Sequence, residues 1–231
     1  MAVATSTSPA ETAADNNNVN TARANKTWAW AGIATFVLGF VFTWAPALFG
    51  VSESDANNPD LLFEALDTNS NLWLGRVTSG IGFLTVGALI VFASGYRRLL
   101  QQRLPDSLLP SITYAAMAAT AGALIIASIF RAMLFDSIDT YDNSVHAAFY
   151  ALSWDVALAS WTMLFVAGIT AAIAAFRGAL PKWFGWLSIV TAGLGILLAM
   201  TGLAFPAHMP AFIWLIAASV VSIRARDSAV V

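Results

Sequence analysis

The sequence predicts an all-α protein: a polytopic bundle of six membrane-spanning helices with both ends on the cytoplasmic side. Three observations lead there. The 231 residues are 58% hydrophobic and only 10% charged, with mean hydropathy +0.72, whereas a soluble domain carries roughly 25% charged residues. Six apolar stretches reach or approach the roughly 20 residues that a membrane helix needs. Nine of the eleven Lys and Arg fall in tails and loops that alternate to one side of a six-span path: Arg23, Lys26, Arg97, Arg98, Arg103, Arg177, Lys182, Arg224 and Arg226. The other three loops hold none. This positive-inside pattern puts both termini in the cytoplasm and the chain in the inner (cytoplasmic) membrane.

Residues 1–27 are rich in Ala, Thr, Asn and Ser without apolar periodicity, and read as a disordered cytoplasmic tail. The transmembrane domain occupies 28–226. Its first span, 28–49, follows Arg23 and Lys26 and ends at Ala45-Pro46-Ala47. That resembles a signal peptide with an Ala-x-Ala site. The tail before it is long for such a signal and Trp44 is bulky for that region, so a retained helix is the expectation. The Asn25-Lys26-Thr27 sequon falls on the inner side and carries no weight.

Residues 51–71 form an outer loop with five acids and no Lys or Arg. Within it, Asn58-Pro59-Asp60 starts a short helix: Asn caps, Pro suits the first turn, and an early acid favours the dipole. Leu61, Leu62, Ala65 and Leu66 share one face, which suits a helix lying on the outer surface or a lid over an outer cavity. The second span, 72–96, carries Arg76 near its start. Gly75, Ser79 and Gly82 give it a small face that lets a neighbouring backbone approach closely. Arg97, Arg98 and Arg103 follow, in a loop closed by Pro105.

The third span, 108–134, carries Arg131 near its end, and an outer loop with Asp136, Asp139 and Asp142 follows. The fourth span is 145–176 and the fifth 183–205. A tight turn at 205–210 leads to the sixth, 208–223. Its apolar part begins at Pro210 and covers only about 21 Å of a core about 30 Å thick. It must therefore borrow turn residues or thin the bilayer. Residues 227–231 are a short tail. Trp28, Trp30, Trp183 and Trp186 mark the inner interface, and Trp44 and Trp73 the outer one.

Asp155 is the one carboxylate deep inside an apolar run. Such a group is costly and marks a site or a buried pair. It lies about nine residues into its helix, roughly 13 Å below the outer boundary. Arg131 lies a turn below the same boundary on the preceding, antiparallel helix. Side chains tilt toward their own helix N-terminus, so the two converge. Ala148, Ala151, Ala159 and Thr162 flank Asp155 and leave room for a close neighbour. The expectation is a buried Arg131–Asp155 ion pair on the outer half, with Arg76 as a secondary partner. The alternative is a protonated Asp155 bonded to a carbonyl or a Thr.

Only two histidines exist, His146 and His208, both at the outer edge. They could ligate one b-type haem, with Arg76 or Arg131 on its propionates, or serve a quinone. An interfacial histidine also needs no special role. Asp139 and Asp142, with Asp136 and His146, offer ligands for a divalent cation, but no Gly fixes a turn there and the segment reads as a solvated acidic loop. His146 and Asp155 are nine residues apart, about 180° round a helix, so they form no relay within it. The absence of Cys excludes thiolate sites, and no lysine lies in a span to form a retinal Schiff base. Phosphate-loop, nucleophile-elbow and zinc-helix motifs do not occur. No basic, aromatic-interleaved patch suggests nucleic acid.

The expected function is a non-enzymatic accessory or structural membrane component. Its contacts would be the lipid bilayer and a membrane-protein partner or second copy, with no cofactor. One alternative is a small transporter or channel-like protein using Asp155, Arg131 and Arg76 in an outer cavity. Another is a haem- or quinone-binding redox anchor.

Overall fold

The computed structural model describes residues 9–136, 140–201 and 203–225, and among these every regular element is helical. The elements are α1 (Pro9–Trp44), a 3-10 turn (Ala45–Phe49), α2 (Glu53–Ala56), α3 (Pro59–Leu66), α4 (Asn69–Arg103), α5 (Leu109–Asp136), α6 (Asn143–Ser160), α7 (Met163–Phe176), α8 (Lys182–Met200) and α9 (Ala204–Arg224). Six helical segments are long and apolar enough to cross a membrane: Thr27–Leu48, Asn69–Arg103, Leu109–Asp136, Asn143–Phe176, Lys182–Met200 and Pro206–Arg224. Arg103, Arg177 and Arg224 gather at one end of the bundle, here termed the cationic end. The loop acids and α2–α3 occupy the opposite, acidic end.

Local chemistry explains most boundaries. The Asn58 side chain accepts from the Asp60 N–H, with Pro59 in the first turn of α3. Thr68 accepts from the Asn71 N–H and starts α4. At the far end of α7, Gly178 takes φ +85°, and the Ala179 N–H closes back on the Ala174 carbonyl. This left-handed cap is open to glycine at little steric cost.

Three expectations change. The structure continues α1 back to Pro9, where composition suggested a disordered tail. Between Pro9 and Gly32 there is no further Pro and no Gly to stop a helix that the first span nucleates. The tight turn expected at 205–210 is helical, and the fifth span ends at Met200 rather than at 205. The sixth span thus borrows its missing length. Pro206 sits in the first turn of α9, where an N–H has no intrahelical acceptor anyway, so only Pro210 interrupts the ladder.

The fourth span, expected as one helix, breaks at Trp161-Thr162. The Ser160 and Thr162 hydroxyls donate to the Ala157 and Ala159 carbonyls, three residues back. The N–H groups of Leu164 and Phe165 likewise reach back only three residues. Hydroxyls that bond the ladder's own carbonyls loosen a helix locally, and a tertiary bond from Trp161, described below, holds the break.

The main core runs the length of the bundle and includes Phe42, Leu89, Phe92, Tyr96, Trp161, Phe184, Phe212 and Trp214. A second cluster caps the acidic end. There Phe49, Leu62, Leu66, Leu134 and Phe135 pack together, with Leu72 and Tyr150 against them. The amphipathic α3 therefore turns its Leu62–Leu66 face onto the helix ends, while Leu61 stays exposed. Gly75, Ser79 and Gly82 are buried. A Cβ at Gly75 would run into the Phe135 ring, and one at Gly82 into the Ser128 hydroxyl and the Phe42 ring. Gly80 and Gly87, on the same helix, have nothing within 4 Å of that position.

This contrast yields a paired prediction. Gly82→Ala should destabilise the bundle by about 1–3 kcal/mol through overpacking. Gly80→Ala should be neutral or slightly stabilising, because it removes only a helix-propensity cost. Thermal unfolding of both variants in one detergent checks this, and equal midpoints would contradict it.

Candidate functional site

The site is organised by a proline. Pro46 has no N–H, so the carbonyl four residues earlier, that of Phe42, loses the donor a continuing α-helix would give it. Inside a membrane such a carbonyl needs another partner. Arg131 supplies it: its Nη1 donates to the Phe42 carbonyl at 2.6 Å. The guanidinium carbon also lies 4.1 Å from the centroid of the Phe42 ring. One residue on α1 therefore receives Arg131 through both its backbone and its π face. A desolvated cation–π contact contributes about 2 kcal/mol. Arg131 is fully buried, and its Nε and Nη2 have no hydrogen-bond acceptor among the described residues.

The next residue extends the junction. Thr43 accepts a 2.9 Å hydrogen bond from the indole N–H of Trp161, at the break between α6 and α7. Trp161 packs on Phe212 with ring centroids 4.7 Å apart. Gly39, one turn before Thr43, lies against the same indole. Phe42 and Thr43 thus tie the end of α1 to α5, to the broken fourth span and to α9.

Asp155 takes no part. Ser153, Ala157 and Ser160 define the buried face of α6. Asp155 is two residues from Ser153 and from Ala157, about 160° round the helix, and it is exposed. The predicted Arg131–Asp155 pair is not made. The small residues read as room for a neighbour, Ala148, Ala151 and Ala159, are exposed with it. The fourth span has 34 residues, about 51 Å, against a core of about 30 Å. A core of that thickness leaves about fourteen residues of the span outside it, so the span's length gives Asp155 no fixed depth.

Arg76 is likewise elsewhere. Its Nε donates to the Asp136 carboxylate at 3.0 Å in an ion pair with both side chains more than half exposed. Such a pair contributes little to stability.

The histidines do not share a site. His146 is buried at the start of α6, its Nδ1 3.1 Å from the Asp142 carbonyl, with the Phe63 and Tyr141 rings against it. His208 is buried against Trp44 and Phe212. Trp161, in contact with Phe212, is fifteen residues after His146, about 22 Å along the helix. His208 is only one turn from Phe212. The two imidazoles therefore stand far apart along the bundle and do not fit a single haem iron. Of the acidic loop, Asp139 lies outside the described residues, and Asp142 serves at the N-cap position of α6. No group of three or more His, Asp or Glu suited to a metal ion occurs among the described residues.

Sequence reasoning missed Phe42 and Thr43 as the polar end of α1. The signal was present, since Pro46 by itself marks the Phe42 carbonyl.

The class this architecture defines is an all-helical bundle with six potential membrane-crossing helices, compatible with a multi-pass membrane protein. No family model, curated protein or solved structure matches the chain.

Two substitutions separate the junction from the pair it replaces. Asp155→Asn should change stability by no more than about 0.5 kcal/mol, as for other exposed sites. Phe42→Leu keeps the carbonyl but removes the ring, and should cost about 2–4 kcal/mol. Chemical or thermal unfolding in detergent reads both. A large loss for Asp155→Asn with a small one for Phe42→Leu would overturn the assignment.

Proposed function

We propose that the chain is a non-enzymatic accessory or structural component of the cytoplasmic (inner) membrane, with both termini inside. The observation that carries this reading is where Arg131 goes: the one buried cation of the acidic half holds two helices together. Other buried polar groups do the same work. The Trp214 indole donates to Ser188 across α9 and α8 at 3.0 Å. Thr113 and Thr170 bond across α5 and α7 at 2.7 Å. Interhelical bonds of this kind replace the hydrophobic drive that lipid cannot supply. The orientation rests on the nine one-sided cations. A bilayer surrounds the bundle in this reading, and its apolar outer surface is available to a membrane-protein partner or a second copy.

A second reading, a small transporter, draws on one observation: the Nε and Nη2 donors of Arg131 lack acceptors among the described residues. In that reading Arg131 faces an outer pathway for an anionic solute, without Asp155 or Arg76.

The chain has no cysteine, so single thiols report accessibility without background. A membrane-impermeant thiol reagent applied to intact cells should label Ser70→Cys. It should label Gln102→Cys only after permeabilisation, and Ser128→Cys, one turn from Arg131 and fully buried, under neither condition. Labelling of Gln102→Cys in intact cells would reverse the orientation. Labelling of Ser128→Cys from outside would favour the transporter.

A further inference from the structure

At the cationic end, Arg103 is the last residue of α4 and is half-buried. Its Nη1 donates to the Ala179 carbonyl at 2.7 Å, which fixes the guanidinium between the α7–α8 turn and the end of α9. A recess opens on each side of it. One, of about 120 Å³, is lined by Arg103, Pro181, Trp183, Val221 and Arg224. The other, shallower and about 400 Å³, is lined by Arg103, Arg177, Gly178 and Ala179. Arg103 thus stands between two adjoining recesses, one edged by Arg224 and the other by Arg177.

None of the three has a carboxylate partner among the described residues, where the only ion pair is Arg76–Asp136 at the opposite end. Among the described residues the nearest acid in sequence, Asp106, is exposed in the α4–α5 loop and makes no ion pair. Uncompensated arginines that converge on a recess attract an anion, and their planar forks match phosphate oxygens in particular. The surroundings narrow the source. Trp183 lines the recess and is 53% exposed, and Trp186, one turn on, is 62% exposed. Indoles at that position mark the headgroup level of a bilayer. Val190 and Leu194 carry an exposed apolar face of α8 away from the recess, where acyl chains would lie.

We infer that Arg103, Arg224 and Trp183, flanked by Arg177, form a binding site for the phosphate headgroup of an anionic phospholipid. Basic pockets between helix ends on the cytoplasmic side hold such headgroups. Arg103 is fixed in advance by Ala179, while Arg224 and Arg177 are exposed and close on the phosphate from either side. The site is separate from the Arg131 junction and stands whichever reading of that junction holds.

Purified full-length protein, titrated with phosphatidylglycerol, phosphatidylcholine or inorganic phosphate and read by thermal shift and native mass spectrometry, tests the site. Phosphatidylglycerol should raise the midpoint and remain bound, and phosphatidylcholine should not. Arg224→Gln and Arg177→Gln should each weaken phosphatidylglycerol binding about five-fold, the size expected for one cation near a membrane surface. Arg98→Gln, an exposed arginine of the same end that lines neither recess, should leave binding unchanged. Equal effects of the two lipids, or equal weakening by Arg98→Gln, would overturn the site. A full shift from inorganic phosphate alone would overturn the lipid and make the ligand a free anion.

Discussion

The bond between Arg131 and Phe42 is the constraint on which the acidic half of the molecule depends. Pro46 ends the hydrogen-bond ladder of α1 inside the apolar region and leaves the Phe42 carbonyl without its donor. A carbonyl stranded there costs several kcal/mol. A buried guanidinium alone is costly as well. The 2.6 Å bond gives the carbonyl its donor and the guanidinium one acceptor, and the Phe42 ring covers the cation's face. Glycine at position 82 is what lets that ring sit between α4 and α5. The acidic-end cap follows one turn along α5 from Arg131. There Phe135 meets Phe49 edge-on at 5.1 Å and fills the space that Gly75 leaves.

The same junction accounts for the irregular fourth span. No Pro or Gly lies near Trp161 in the sequence, and the usual causes of a break are absent. Trp161 is instead drawn to Thr43 on α1, while hydroxyls on either side take up carbonyls of the preceding turn. The α6 half then rises past the core to meet α3. That lets the fourth span reach both the cationic end and the cap.

The helices were legible because lipid imposes a length and a composition, and six stretches meet both. Gly75, Ser79 and Gly82 of α4 are buried, as small residues at such spacing are where backbones approach closely. Asp155 was misread because alanines flank it, and alanine suits a packed face and an exposed one equally. Nothing in the sequence said that Ser153 and Ala157, not Ala151 and Ala159, point inward. The start of α9 was missed because Pro206 and Pro210 suggest a turn, although proline is at home in a helix's first turn. The break at Trp161 could not be read at all, since its cause, Thr43, is 118 positions away.

Polar chemistry is thus divided between the two ends. At the acidic end Arg131 is held by the Phe42 carbonyl and ring, and Arg76 by Asp136. At the cationic end Arg103, Arg177 and Arg224 have no carboxylate partner among the described residues. In the proposed reading, one arrangement holds the helices together and the other seats the chain among lipids. The central claim is that Arg131 answers the carbonyl that Pro46 frees. Unfolding free energies of Pro46→Ala, Arg131→Met and the double variant in one detergent test it most directly. Pro46→Ala restores an N–H to that turn, so Arg131→Met should cost about 1–3 kcal/mol less in the Pro46→Ala background than in the parent chain. Costs that add within about 0.5 kcal/mol would contradict it.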